Sequence, residues 1–129
     1  MTTDITMLVL TALLSLVWPT VYLIGRLQVP AGFQWSLGNR DTPIEAPAWA
    51  GRAFRAHQNL IENLAPFAIL VLAAAITGTA NAQTALGATI FFWARVGHAA
   101  VYTLGIKGLR TAMFFVGAAG EVMILMQLF

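Results

Sequence analysis

Between residues 52 and 63 the chain carries Arg52, Arg55, His57, Gln58, Asn59, Glu62 and Asn63. Arg52, Arg55, Asn59 and Glu62 are separated by steps of 3, 4 and 3, which sets them along one face of a helix. Steps of 3 and 4 recur in Arg95, His98 and Tyr102, and Lys107, Arg110 and Thr111 follow shortly after. Guanidinium groups bind carboxylates and phosphates through paired hydrogen bonds. A carboxylate such as Glu62 suits an ammonium, and the Gln58 and Asn59 amides both donate and accept. This inventory fits a small zwitterionic peptide with two carboxylates, one amine and internal amides. Glutathione is such a molecule, and it brings the thiol that a chain without cysteine lacks. Arg110 with the Thr111 hydroxyl could favour a thiolate by charge and hydrogen bonding. A phosphorylated headgroup fits the arginines nearly as well.

A purely structural reading competes with this one. Glu62 would pair with Arg95 or Arg55 as a buried ion pair that fixes helix register. His98 and Tyr102 would then be interior polar residues, and Arg52, Arg55, Lys107 and Arg110 charges that orient the chain in a membrane. One ion pair needs two residues, whereas the constellation has many more. Pro66 lies four residues after Glu62, so the Glu62 carbonyl loses its usual helix donor and a kink is expected there.

The elements that carry these residues follow from composition. The 129 residues allow one domain. Apolar types make up 59% of the chain and charged types 9%, and the mean hydropathy is +0.77. So few charges cannot cover a water-facing surface, which excludes an ordinary soluble enzyme and a disordered chain. Seven Lys/Arg against five Asp/Glu are too few to track nucleic-acid phosphates. With no cysteine, disulfides and thiolate metal sites are excluded, and no metal site is expected.

The hydropathy pattern predicts an all-α integral membrane protein, a four-transmembrane-helix bundle with spans of about 5–27, 47–78, 84–104 and 109–129. Pro19 kinks the first span, and Asp4 in place of a basic leader argues against a cleaved signal peptide. Residues 28–46 read as a long loop through Pro30, Gly32, Gly38–Asp41 and Pro43. Arg26, Arg40, Arg52, Arg55, Lys107 and Arg110 all fall in or beside the first and third connections, which predicts that these face the cytoplasm. Gly87, Gly97, Gly117 and Gly120 allow close helix approach.

With Pro66-Phe67 after it, Arg52-x-x-Arg55-Ala-His57-x-Asn59-x-x-Glu62 resembles the second-helix signature of the MAPEG family, membrane-associated proteins in eicosanoid and glutathione metabolism. Phe92-x-x-Arg95-x-x-His98-x-x-x-Tyr102, then Gly105 and Leu109-Arg110-Thr111, resembles its third helix and the start of its fourth. The resemblance is specific over about residues 47–115. It implies a homotrimer that binds glutathione between adjacent subunits near the cytoplasmic side. It further implies glutathione contacts at Arg26, Arg55, His57, Gln58, Asn59, Glu62, Arg95, His98, Tyr102 and Phe114, with Arg110 and Thr111 in the catalytic role. Gln58 stands where one branch has an arginine, and Phe114 where that branch has a tyrosine. These departures favour a bacterial-type member, in an inner membrane, with glutathione transferase or peroxidase activity on a lipophilic electrophile or hydroperoxide drawn from the membrane lipids. Two other functions stay open: a non-catalytic lipid-binding membrane scaffold, and a small proton-coupled exporter using Glu62, although the neighbouring arginines would repel a cation. Glu121, deep in the fourth span, has no role that the sequence assigns.

Overall fold

The computed structural model describes all 129 residues. The chain is all-helical: α1 Thr3–Val17, α2 Pro19–Leu27, α3 Gly32–Leu37, α4 Ala48–Thr77, α5 Ala82–Leu104 and α6 Leu109–Leu125. The expected first span is thus two helices. Pro19 lacks the amide that would continue α1 and sits instead at the first position of α2. The segment 28–46 is not loop throughout, as the sequence suggested, because α3 folds back against α2. Gly32 makes that return possible, since any side chain there would strike the Arg26 carbonyl. Pro66 lies inside α4, and the helix continues past it to Thr77. Thr3–Leu27 and Ala48–Thr77 are long and apolar enough to cross a membrane.

The helix ends are specified locally. Asn81 caps α5 by accepting hydrogen bonds from the Gln83 and Thr84 amides, and the Thr84 hydroxyl accepts from the Asn81 amide in return. The same hydroxyl lies 2.6 Å from the Asp4 carboxylate, to which it donates. Asp4 is buried in the first turn of α1, where its charge complements the helix dipole. Gly78 and Gly105 close α4 and α5 in the left-handed region, at φ +73° and +80°, a conformation that glycine adopts without strain.

α4 and α5 form the centre. α5 packs on α6, α4 and α1, while α2 packs on α4. Phe67, Val71 and Ala74 of α4 meet Ala88 and Phe91 of α5 and Ile124 of α6 in the main core. Phe67 and Phe91 stack with centroids 3.9 Å apart. A second cluster joins Tyr22 of α2 to Ala50 and Ala53 of α4. Only 24 of the 129 residues are buried, while Leu16, Ile69, Ile76, Trp93, Phe115 and Met126 are exposed. An apolar surface of that extent calls for lipid or a second copy to cover it.

α5 and α6 approach backbone to backbone. A Cβ added at Gly87 would lie 2.6 Å from the Gly120 carbonyl oxygen, and one added at Gly120 would lie 2.5 Å from that of Gly87. Backbone cannot step aside as a side chain does. Gly87→Ala is therefore expected to destabilise the protein by about 1–3 kcal/mol, read as a lower thermal midpoint in detergent. Gly51→Ala, whose Cβ would meet nothing nearer than Arg55 Nη1 at 3.5 Å, is the control and should not lower it.

Candidate functional site

The polar residues of α4, α5 and α6 gather at one end of the bundle. α4 supplies Arg55, Gln58, Asn59 and Glu62, α5 supplies His98 and Tyr102, and α6 supplies Arg110, Thr111, Phe114 and Phe115. Together they line a cleft of about 420 Å³. The spacing explains the α4 contribution, since residues 55, 58, 59 and 62 fall on one side at 100° per residue. The antiparallel turn at residues 105–108 then brings the start of α6 alongside the end of α5.

Tyr102 organises the basic side of the cleft. The Arg110 guanidinium carbon lies 4.7 Å from its ring centroid and that of Arg55 lies 5.9 Å away. The buried His98 ring meets the same ring edge to face at 5.5 Å. Two cations are thereby held by an aromatic face, without a carboxylate to neutralise them. Glu62, in the same lining, is exposed.

Arg95 is 1% exposed and lies behind this lining. Its Nη1 donates to Asn59 Oδ1 at 2.9 Å and its Nη2 to the Phe114 carbonyl at 3.3 Å. The ion pair with Glu62 that a structural reading expected is therefore not what occupies Arg95. Because arginine only donates, Asn59 must turn its carbonyl inward, leaving its NH2 as the donor for the cleft. Room for the guanidinium comes from Gly117, where a Cβ would sit 2.5 Å from Nη2. Glu121 stands one turn beyond Gly117 on α6, near enough for its charge to bear on Arg95 although no ion pair joins them. Arg95 Nε and Glu121 Oε1 are both buried without hydrogen-bond partners.

Nine of the twelve residues expected from the sequence line the cleft: Arg55, Gln58, Asn59, Glu62, His98, Tyr102, Arg110, Thr111 and Phe114. Three do not. His57 is rotated 200° from Arg55 on α4 and faces the first span. Its Nε2 lies 2.8 Å from the Ser15 carbonyl, and its Nδ1 lies 3.2 Å from the Tyr22 hydroxyl. It is a tie between α4 and the α1–α2 break. Arg95 acts from behind, through Asn59. Arg26 sits among the rings of Tyr22, Trp35 and Phe54, at 4.7, 5.1 and 5.1 Å. It borders a different hollow, between α3 and the start of α4. Arg52, on the expected face, is drawn to the end of α5, where its Nε donates to the Thr103 carbonyl at 2.9 Å.

Sequence reasoning missed Phe115, whose exposed ring lines the cleft beside Phe114. The adjacent pair of aromatics at the start of the last apolar run was the available signal. It also left Glu121 without a role, because Arg95, the cation that bears on it, lies on another helix.

The model of one protein family, the MAPEG family, matches residues 5–129. No curated protein and no solved structure matches the chain.

Proposed function

The chain belongs to the MAPEG family of membrane-associated proteins, and from that premise we propose that it is a glutathione-dependent membrane transferase or peroxidase acting on lipophilic electrophiles or hydroperoxides. One observation carries the reading: charged and amide groups from three helices, far apart in sequence, converge on a single cleft. The donor set fits the ligand. Arg55 and Arg110 offer guanidinium groups to carboxylates, Glu62 offers a carboxylate to the amine, and the Asn59 NH2 is turned outward to donate to an amide.

Bound there, glutathione supplies the nucleophilic sulfur. Arg110, held against Tyr102, sets a positive charge at the mouth of α6 beside the Thr111 hydroxyl. Together they stabilise a thiolate by charge and by a donated hydrogen bond. The thiol proton leaves to solvent or buffer. Phe114 and Phe115 provide the apolar wall on which a lipophilic partner is positioned. The chain contributes orientation and preorganised charge, with no covalent nucleophile of its own.

Four membrane spans and a homotrimer belong to the same reading. The supporting features are the many exposed apolar side chains and a cleft open at the protomer surface, whose lining includes the exposed Arg55, Glu62 and Phe115. In such an assembly Arg26 would serve the cleft of a neighbouring copy, since it does not reach its own. The positively charged first and third connections would face the cytoplasm of a bacterial inner membrane.

Titration of glutathione into the purified protein in two buffers of different ionisation enthalpy tests this. Binding with proton release is the expected result. Binding without it would remove the Arg110 role, and no binding would overturn the reading in favour of a lipid scaffold. Glu62→Gln should weaken glutathione about 10–100-fold, the loss of one hydrogen bond between charged groups. It should leave the affinity of an analogue lacking the α-amino group unchanged. Equal weakening of both ligands would show that Glu62 shapes the cleft without contacting the amine.

A further inference from the structure

Another hollow, of about 570 Å³, opens at the turn between α5 and α6 and shares Arg55, Tyr102 and Arg110 with the cleft. Its remaining lining is Arg52, Gly105, Ile106, Lys107 and Gly108. Half of these eight residues are cationic, and none is acidic.

Three of the cations are fixed in place. Arg55 and Arg110 lie against Tyr102, as described. Arg52 is anchored through Nε to the Thr103 carbonyl, and its guanidinium lies flat on Gly105, where a Cβ would come within 3.2 Å of Cζ. Gly105 is therefore doubly required, by its positive φ and by the arginine above it. Anchoring through Nε leaves the two terminal amino groups of Arg52 free to donate as a fork. α6 begins just after Gly108, with no side chain capping its first amides, so its positive dipole end adds to the field.

Charges that merely orient a chain in a membrane need neither anchoring nor convergence. The glutathione reading does not exhaust them. Arg55 and Arg110 serve the cleft, where Glu62 also stands, and Arg52 and Lys107 are left over with two positive charges. We propose that this hollow is a separate anion site, built for a phosphate group that Arg52 and Lys107 hold beside the cleft. The chemistry is common to a phospholipid headgroup and to a soluble phosphate compound. The charge count rests on the glutathione reading, whereas the hollow itself does not.

The test uses the full protein in neutral detergent with two probes. Pyrophosphate is titrated by calorimetry, and retention of phosphatidylglycerol against phosphatidylcholine is measured by native mass spectrometry. At least one anionic probe should bind, and Arg52→Gln with Lys107→Gln should weaken it at least about tenfold, with glutathione affinity kept within about twofold. Pyrophosphate binding identifies a soluble phosphate ligand, and selective phosphatidylglycerol retention without it identifies a lipid headgroup. Binding of neither probe, or equal binding by the variant, overturns the site. Lys107→Gln alone, on the exposed turn, carries the same test should loss of the Arg52 anchor disturb the fold. Anion binding without glutathione binding would retain this site and overturn the function proposed above.

Discussion

Replacing Arg95 with methionine is expected to destabilise the protein by about 2–4 kcal/mol, the cost of leaving two hydrogen-bond acceptors in the bundle without their donor. Three groups would be abandoned together. Asn59 Oδ1 and the Phe114 carbonyl lose their donor, and the half-buried Glu121 carboxyl loses the positive charge that favours it. The space beside Gly117 would be filled by the methionine, so a cavity contributes little. Adding Glu121→Leu to Arg95→Met should therefore recover part of the stability, because it removes a half-buried polar group left without its cation while the two acceptors stay unpaired. Unfolding by dodecyl sulfate, followed for both single variants and the double variant, measures the coupling. If the two losses simply add, Glu121 is not the counter-charge of Arg95.

Arg110→Ala should have the largest effect on activity. It is expected to lower turnover in glutathione conjugation by about 10²–10³-fold, the usual loss when a preorganised charge facing the reacting atom is removed. Affinity for glutathione should fall less, because Arg55, Asn59 and Glu62 remain. Proton release on binding should vanish at neutral pH as the bound thiol returns to its protonated form. Arg110 is exposed and lies over the Tyr102 ring without an ion-pair partner, so thermal stability should change little. Unchanged turnover would sink the assignment of Arg110 as the thiolate's partner. A fall in turnover matched by an equal fall in affinity would make it a binding residue only.

The division between what the sequence disclosed and what it hid follows from the physics of helices. Positions 55, 59 and 62, like 98 and 102, share a face by arithmetic alone, and the cleft is built on those two faces. The rotation that includes them excludes His57, which the family signature had drawn in with its neighbours. Nothing local says that α2 covers that side. Arg52 shares the arithmetic of Arg55 but lies level with the end of α5, so a backbone carbonyl takes it. The same limit applies to Arg95, whose partners Asn59 and Phe114 lie 36 and 19 residues away, and to Gly117, which reads as generic packing until a guanidinium is found beside it. The helix α3 escaped notice because its six residues are too few to establish a period, and Gly32 resembled a turn residue.

The length of α4 bears on how a charged cleft is tolerated by so apolar a chain. Its 30 residues extend about 45 Å, whereas the hydrocarbon layer of a bilayer is about 30 Å thick and is crossed in about 20 residues. Counted back from Thr77, that span runs out near Gln58. In a bilayer Arg52 and Arg55 would then stand at the depth of the headgroups, with Asn59 about one turn and Glu62 about two turns below Arg55. The penalty for charge at mid-membrane would not apply there. The cleft would straddle the boundary between two solvents, one wall wetted by water and the other, at Phe114 and Phe115, by acyl chains. A hydrophilic peptide and an oil-soluble molecule could then meet without either leaving the phase in which it dissolves.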